Sequence, residues 1–284
     1  MRIIHTPALL LTLLFVTALS YSCSNQPTSS TSTGADTVAV AEVKMADTTS
    51  FKKSNGEICS IIADATFNYP TAYADKERLK QLQHLYATAV LGAPDSLSLN
   101  EAMRLCVSNS MHQYDFTSPT AINDSEFDDE DTQPVSAYRT SSNIQVNYNK
   151  NGLVTFCRVD VVKKDSTVTS VTHHYCTIDL NKMAIVELKD LFREDALADV
   201  TQLLRQRLLE QNNVQNSDQL NELGYYNIDN LMATNNFCFD NTGITWSYQP
   251  NELAVNAVGE PRITLDYELL TQLACEGSVI DRVK

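Results

Sequence analysis

The chain has 284 residues and carries 35 acidic against 21 basic side chains, which gives a formal net charge of −14. This acidity, without any basic stripe, argues against a nucleic-acid-binding protein, because such proteins neutralise phosphates with Lys and Arg. It also argues against electrostatic docking on anionic lipid. A hydrophobic content of 43% is enough for a folded core, and the length allows one or two domains.

The first 22 residues have the pattern of a secretory signal. A short basic start is followed by an apolar run from Ala8 to Leu19, which is too short for a membrane span of about 20 residues and fits a signal-peptide core. Ser20-Tyr21-Ser22-Cys23 comes next and resembles the cleavage box of bacterial lipoproteins. We predict a lipoprotein signal peptide over residues 1–22 and lipid attachment at Cys23. An ordinary secretory signal with an incidental cysteine is the alternative.

Residues 23–50 have the composition of a flexible linker. They are rich in Ser and Thr and lack aromatic side chains, and a chain of this kind spans roughly 30 Å on average. We predict a disordered tether that holds a folded domain away from a bilayer. The predicted location is the cell envelope, on the periplasmic face of an outer membrane.

The sequence pattern of residues 51–135 predicts a small strand-helix-helix subdomain. Ile58–Tyr69 is strand-like, and apolar residues at helical spacing run from Lys76 to Leu91. Ser98 and Glu101 have the spacing of a capping box, in which a hydroxyl and a carboxylate satisfy the first N–H groups of a helix. We therefore predict a second helix from this point.

Residues 136–284 predict a larger domain that begins as a strand meander. Alternating apolar residues lead to Asn151-Gly152, a hairpin turn signal, and further strands and an amphipathic helix follow. Residues 236–273 read as strand, turn, strand, strand and helix. The predicted fold class is α+β, an antiparallel sheet meander with packed helices that is preceded by the smaller strand-helix-helix subdomain.

Six cysteines remain when Cys23 is set aside, and an even number in an exported protein permits disulfides. Cys157 and Cys176 lie at similar distances from the predicted turn near Asp165, so they are a candidate disulfide across the hairpin. Buried free thiols are the alternative. No C-x-x-C pair occurs, which leaves a zinc ribbon or a thioredoxin-like site without support.

Two stretches have residue types that bind metals. Asp124–Asp131 holds six carboxylates but lacks the central glycine of a calcium-binding loop, so we interpret it as a solvated acidic loop. His173 and His174 should point to opposite faces of a strand. His174 and Cys176 would share a face, but two ligands are fewer than a zinc site needs. We predict no metal and no cofactor.

The predicted domain over residues 136–284 resembles a known family, because several short stretches occur in the same order. These are Thr177–Lys182, Glu187–Phe192, Asn236-Phe237, Ile244–Pro250, Leu253-Ala254 and Gly259. Together they are similar to the extracytoplasmic domain of the anti-sigma-V factor, the RsiV-like family, a domain of largely unknown function. The stretch from Tyr69-Pro70 through the two helices resembles the companion domain that usually precedes it.

The resemblance implies a binding function rather than catalysis. The anti-sigma relative recognises lysozyme, a basic protein, and that domain also occurs beside cell-wall polysaccharide deacetylases. We predict a non-catalytic, lipid-anchored envelope protein that binds a lysozyme-like protein or an envelope glycan such as peptidoglycan, with no nucleic-acid partner. Trp246, Tyr248 and His173 are the candidate binding surface. The alternative is an enzyme that acts on cell-wall polysaccharide, although no catalytic motif selects its residues.

Overall fold

A six-stranded β-sheet, in which the spatial order of the strands follows the sequence, is the largest sheet among the described residues. The coordinates are a computed structural model and describe residues 36–52, 56, 58–112 and 137–284. The strands are β1 (Ala39–Lys52), β2 (Ile58–Ala72), β3 (Ala137–Lys150), β4 (Leu153–Lys164), β5 (Thr167–Asp179) and β6 (Ala184–Ile185).

The predicted hairpin between β3 and β4 is confirmed. Asn151 and Gly152 have φ angles of 57° and 70°, and both must be positive in the two-residue turn that matches the twist of antiparallel strands. β4 and β5 form a second antiparallel hairpin, and β6 pairs with the end of β5. The predicted meander is therefore present from β3 onward.

The predicted boundaries of the N-terminal region are wrong in two respects. β1 occupies residues 39–52, so much of the predicted tether over 23–50 is an edge strand paired antiparallel with β2. β2 then pairs with β3 in parallel, which makes residues 51–135 and 136–284 contribute to one sheet. Parallel neighbours need a crossover connection, and the stretch between β2 and β3 contains two helices.

These two helices cover one face of the sheet. Helix α1 (Lys76–Leu85) is capped by Asp75 and continues into a π-helical turn, Tyr86–Val90. Helix α2 (Leu99–His112) begins at the predicted capping box, which is confirmed: Ser98 N donates to Glu101 Oε2 at 2.9 Å, and Glu101 N donates to Ser98 Oγ at 3.4 Å. The first hydrophobic core lies between these helices and the sheet and includes Phe67, Leu82, Tyr86, Phe156 and Ile178.

A second core is built on the C-terminal elements. A three-stranded antiparallel sheet has the order β7 (Phe237–Phe239), β8 (Gly243–Ser247) and β9 (Arg262–Asp266). Around it lie α3 (Leu197–Gln211), α4 (Ser217–Glu222), α5 (Tyr267–Thr271) and α6 (Ile280–Val283). A Cβ atom at Gly243 would lie 2.1 Å from the carbonyl oxygen of Leu265. Only glycine therefore allows β8 and β9 to approach this closely.

Successive residues of β4 belong to different cores because side chains alternate across a strand. Leu153 packs in the second core, whereas its neighbour Val154, like Phe156, packs in the first. In β3 the register shifts between Val146 and Tyr148, which pair with Phe156 and Thr155. This bulge turns Tyr148 toward the second core. The first five residues of β4 are buried and the remaining seven are half-buried, so the strand emerges from between the two cores at Arg158.

The α+β fold class is thus confirmed: a six-stranded sheet with helices and a smaller three-stranded sheet. Among the described residues, no helix combines the length and the apolar character needed to cross a membrane.

Candidate functional site

The half-buried ends of β4 and β5 form the floor and one side of a cleft. Arg158, Asp160 and Val162 of β4 lie opposite His174, Thr172 and Ser170 of β5. All six share a face of the sheet, and the other wall is the π-helical turn and the residues that follow it. The cleft has a volume of about 490 Å³ and is lined by Ala89, Val90, Gly92, Arg158, Asp160, Val162, Ser170, Thr172 and His174.

The floor of the cleft is an ion pair held by a third strand. Arg158 Nε donates to Asp160 Oδ1 at 2.9 Å, and the distance from Nε to Oδ2 is also 2.9 Å. Ser142 of β3, the residue paired with Asp160, donates its hydroxyl to Oδ1 at 2.5 Å. The carboxylate is therefore fixed from two sides, and neither charged side chain is free to swing away.

The contacts of Arg158 to Asp160 use only Nε. Within the described part of the chain, Nη1 and Nη2 make no hydrogen bond. Partial burial opposes the charge of the guanidinium, but the hydrogen bond and the negative charge of Asp160 outweigh it and raise the pKa of Arg158. The arginine is thus permanently charged, with two donor groups available to a ligand.

His174 stands at the rim of the cleft, opposite Arg158. Although the side chain reaches solvent, crowding by its neighbours withdraws water from the ring and lowers the pKa of His174. The positive charge of Arg158 lowers this pKa further, while the negative charge of Asp160 opposes the shift. His174 is therefore uncharged at neutral pH and offers one donor and one acceptor nitrogen.

The π-helical turn shapes the apolar wall. Tyr86 is fully buried and packs edge-on against Phe156, with ring centroids 4.9 Å apart. Leu91 N donates to Tyr86 O at 3.1 Å, the wide hydrogen bond of a π turn, and Gly92 follows with φ of 70°. Single π turns inside helices are often found at functional sites. Here the turn places Ala89, Val90 and Gly92 beside the cleft.

His173 lies on the opposite face, as the alternation along β5 predicts. Its Nδ1 is 2.5 Å from Glu260 Oε2, and Ser247 donates its hydroxyl to the other oxygen of Glu260. The carbonyl oxygen of His173 accepts from Asn236 Nδ2 at 3.0 Å and from Gln249 Nε2 at 2.7 Å. These bonds join the six-stranded sheet to the segment around β8.

Trp246 and Tyr248, predicted as a binding surface together with His173, are buried, and that prediction is wrong for both. Trp246 is 0% and Tyr248 is 1% exposed. Trp246 Nε1 donates to Thr234 O at 3.2 Å, and the Tyr248 hydroxyl donates to Met232 O at 2.9 Å. All five residues of β8 are buried, because both faces of the strand are covered. These aromatic side chains stabilise the second core.

The predicted disulfide between Cys157 and Cys176 is also wrong. In the β4–β5 pairing, Cys157 lies opposite Tyr175, and Cys176 lies opposite Phe156. The one-residue offset sends the two thiols to opposite faces of the sheet. Cys157 packs with Tyr175 and Cys238, whereas Cys176 packs against the first core. Cys157 and Cys176 are both free thiols.

Two predicted features lie outside the described residues: the signal peptide with Cys23, and the acidic run Asp124–Asp131. In the part of the chain that the structure describes, no group of three or more His, Cys, Asp or Glu side chains could hold a metal ion. His174 and Cys176 do share a face of β5, as alternation requires.

The sequence interpretation missed Arg158, Asp160 and Ser142. A signal was present, because Arg158 and Asp160 are the only charged residues in the mostly apolar stretch from Val154 to Val162 and are spaced two apart. That spacing puts two opposite charges on one face of a strand that is buried at its start.

Part of the chain is similar to a known protein family. Residues 189–268 match the model of a family described as a protein of unknown function (DUF3298). No curated protein sequence matches the chain. The matched residues contain α3, α4 and the three strands of the smaller sheet.

Two crystal structures have a similar fold. One is a member of the DUF3298 family from Bacteroides fragilis, with a TM-score of 0.69 and 17% sequence identity, and the alignment covers 88% of this chain and 99% of that one. The other is a DUF3298 family protein from Pseudomonas aeruginosa, with a TM-score of 0.52, 13% identity, and coverage of 86% and 98%. At this level of identity the likeness establishes the fold and nothing about a ligand.

Proposed function

We propose that this chain is an exported, lipid-anchored protein of the bacterial cell envelope whose folded part is an RsiV-like binding module for an envelope glycan. The signal-like N-terminus and Cys23 support the anchor. The resemblance of the second domain to the RsiV-like family, together with the match of residues 189–268 to a DUF3298 domain, supports the kind of module.

The cleft between the π-helical turn and the ends of β4 and β5 is the observation that carries the binding function. Its volume of about 490 Å³ lies within the range of about 300–1,000 Å³ for small-molecule sites. Its helical wall is apolar and its β5 side carries the hydroxyls of Ser170 and Thr172. Its floor is a polar cluster of Arg158 and Asp160 on β4 and Ser142 on the neighbouring strand β3. An apolar wall with a few fixed polar groups suits a small polar ligand better than a flat protein surface.

A pull-down tests the binding function. The chain after Cys23, residues 24–284, is immobilised and offered purified peptidoglycan and, separately, a basic lysozyme. We expect retention of peptidoglycan. Starting at residue 51 instead would remove β1 from the sheet, so the longer fragment is required. If lysozyme alone is retained, and less of it as salt is added, the ligand is a basic protein and not a glycan. The net charge of −14 is compatible with such a partner.

The same experiment separates binding from catalysis. An enzyme that acts on cell-wall polysaccharide would release soluble sugar or acetate from the retained peptidoglycan over time, and we expect none. Asp160 is the only carboxylate among the described residues that line the cleft, and it already accepts hydrogen bonds from Arg158 and Ser142. A glycosidase mechanism commonly uses two carboxyl groups that flank the bond.

Lipid attachment has its own test. Cells that express the full chain are fed an alkyne analogue of palmitate, and the protein is isolated and labelled through the alkyne. We expect incorporation that is lost in Cys23→Ser. Unlabelled full-length protein would contradict the anchor and leave an ordinary secretory signal.

A further inference from the structure

The charges in the cleft cancel. Arg158 is positive, Asp160 is negative and His174 is neutral near pH 7, and the other described lining residues carry no charge. A charged ligand group would lose its hydration without meeting a net opposite charge, which is costly. The chain as a whole, at −14, also repels anions. The cleft therefore favours an uncharged polar ligand.

The cleft floor offers hydrogen-bond donors beside hydrogen-bond acceptors. Arg158 has Nη1 and Nη2 without hydrogen bonds to described residues, and Asp160 Oδ2 contacts only Arg158 Nε in that part of the chain. A carboxylate has about four lone-pair sites, so Asp160 can accept further hydrogen bonds. A ring hydroxyl can donate to the carboxylate while the carbonyl oxygen of a neighbouring acetamido group accepts from the guanidinium.

The walls suit the remainder of a sugar. Ala89, Val90 and Val162 present aliphatic groups, which can pack against the C–H groups of a sugar ring. Ser170 and Thr172 present hydroxyls on the β5 side. Thr140, paired with Val162 on the same face, is 5% exposed, and its hydroxyl has no hydrogen-bond partner among the described residues. A buried polar group of this kind is costly unless water or a ligand satisfies it.

From these observations we infer that the cleft recognises a hydroxyl group and the neighbouring acetamido group of an uncharged N-acetylated sugar, with Asp160 accepting from the hydroxyl and Arg158 donating to the acetamido carbonyl oxygen. This inference rests on the proposed glycan-binding function and specifies which chemical groups of the glycan the site binds. Ser142 acts as a positioning residue, because its hydroxyl holds the carboxylate of Asp160 in place.

The role of Asp160 distinguishes this inference from anion binding. If the ligand is a neutral sugar, Asp160→Asn removes a charged acceptor and binding weakens. If the ligand carries a carboxylate, the same change removes a repulsive charge beside Arg158 and binding strengthens. Charged hydrogen bonds of this kind correspond to about a tenfold or larger change in affinity.

The test uses the full chain in micelles of a detergent without a sugar headgroup. The probes are the trimer of N-acetylglucosamine and, as a sugar that bears a carboxylate, N-acetylmuramic acid. Affinity is measured by calorimetric titration. We expect the trimer to bind, and Arg158→Gln and Asp160→Asn each to weaken its binding by about tenfold. Arg139→Gln and Asp64→Asn are matched controls, since this ion pair lies on the other face of the sheet.

A second pair of variants leaves Arg158 and Asp160 intact. Ser170→Tyr puts a large side chain into the cleft, whereas Val171→Tyr puts the same side chain on the opposite face of β5. We expect the first to abolish trimer binding and the second to preserve it. Thermal unfolding of each variant shows whether the fold is retained.

Two outcomes would overturn the inference. One is trimer binding that neither Asp160→Asn nor Ser170→Tyr changes; the other is preference for N-acetylmuramic acid that Asp160→Asn strengthens. If peptidoglycan is retained in the pull-down while either outcome occurs, the binding function stands and only the recognition chemistry is wrong. If peptidoglycan is not retained either, the proposed function fails as well.

Discussion

Asp179 and Arg282 form a two-bond ion pair that ties the last helix to the end of β5. Arg282 Nη2 lies 2.6 Å from Asp179 Oδ2, and Nη1 lies 3.3 Å from Oδ1. The Asp179 side chain is 3% exposed and that of Arg282 is 29% exposed. The same carboxylate accepts from the backbone N–H of Asn181 at 2.9 Å and of Lys182 at 3.3 Å. One buried acid therefore fixes both the turn after β5 and helix α6.

Removing the arginine should destabilise the protein strongly. Arg282→Gln leaves the buried carboxylate of Asp179 without its counter-charge, and breaking such a pair costs about 3 kcal/mol. Urea unfolding, followed by circular dichroism, measures the free energy of unfolding. Lys284→Gln is the control, because its ion pair with Asp281 is exposed and should contribute less than about 0.5 kcal/mol. If Arg282→Gln and Lys284→Gln lower the free energy of unfolding equally, the stabilising role of the Asp179–Arg282 ion pair is contradicted.

Trp246 should report folding and not ligand binding. It is the only tryptophan in the chain and is completely buried, so iodide ions should fail to quench its fluorescence in the folded protein and should quench it in urea. The emission should also stay unchanged when a saccharide fills the cleft. Strong quenching in the native state would show that this aromatic side chain is accessible, as the sequence interpretation supposed.

Three thiols should resist alkylation while the protein is folded. Burial raises the pKa of Cys157 and of Cys238 to about 11, and that of Cys176 to about 12. At pH 8 each is a protonated thiol in the folded state, and the thiolate is the reactive form. Mass spectrometry after treatment with iodoacetamide should find these positions unmodified in native protein and modified in urea. Rapid native modification of Cys157 would contradict its burial.

The raised thiol pKa values also give a stability change with a defined sign. Unfolded cysteines lose their protons near pH 9.0, whereas folded Cys157 does so near pH 11. Above pH 9 the unfolded state releases protons that the folded state retains. The contribution of the Cys157 proton to the free energy of unfolding is therefore fully present below pH 9 and is lost as the pH rises toward 11. Cys157→Ala should show a smaller fall over this interval, measured by urea unfolding at each pH.

His174 should titrate below its ordinary value of 6.5 in the folded protein, mainly because of partial desolvation. Arg158→Gln removes a positive neighbour and should raise the midpoint, whereas Asp160→Asn removes a negative neighbour and should lower it. Proton NMR of the imidazole signals measures both shifts. The charges of Glu260 and His173 also influence the pKa of His174, but they are the same in both variants. If Arg158→Gln and Asp160→Asn shift the midpoint in the same direction, the cleft geometry is contradicted.

Local patterns in the sequence predicted the local structure well. Asn151-Gly152 specifies its turn within two residues, and Ser98 with Glu101 specifies the start of α2. Neither depends on distant parts of the chain. The strands of the meander follow for the same reason, because alternation and turn residues set the pairing of neighbouring strands.

Long-range contacts could not be predicted in the same way. The parallel pairing of β2 with β3 joins segments separated by two helices. The sequence of neither strand indicates which other strand it pairs with. Alternation around Trp246 indicates one buried face, yet a second covering layer buries both faces of β8. The cleft depends on where the helices stop along β4, a property of packing that neither Arg158 nor Asp160 reveals.

The parallel junction between β2 and β3 sets an order of events during synthesis. The hairpin of β1 and β2 leaves the ribosome first, but its remaining edge can be paired only after β3 is made. The face on which α1 and α2 pack is also partly supplied by β3 and β4, through residues such as Ile144 and Phe156. Contacts so distant in sequence form slowly. The β1–β2 hairpin therefore has an open strand edge, which is an aggregation hazard, until β3 has been synthesised and pairs with β2.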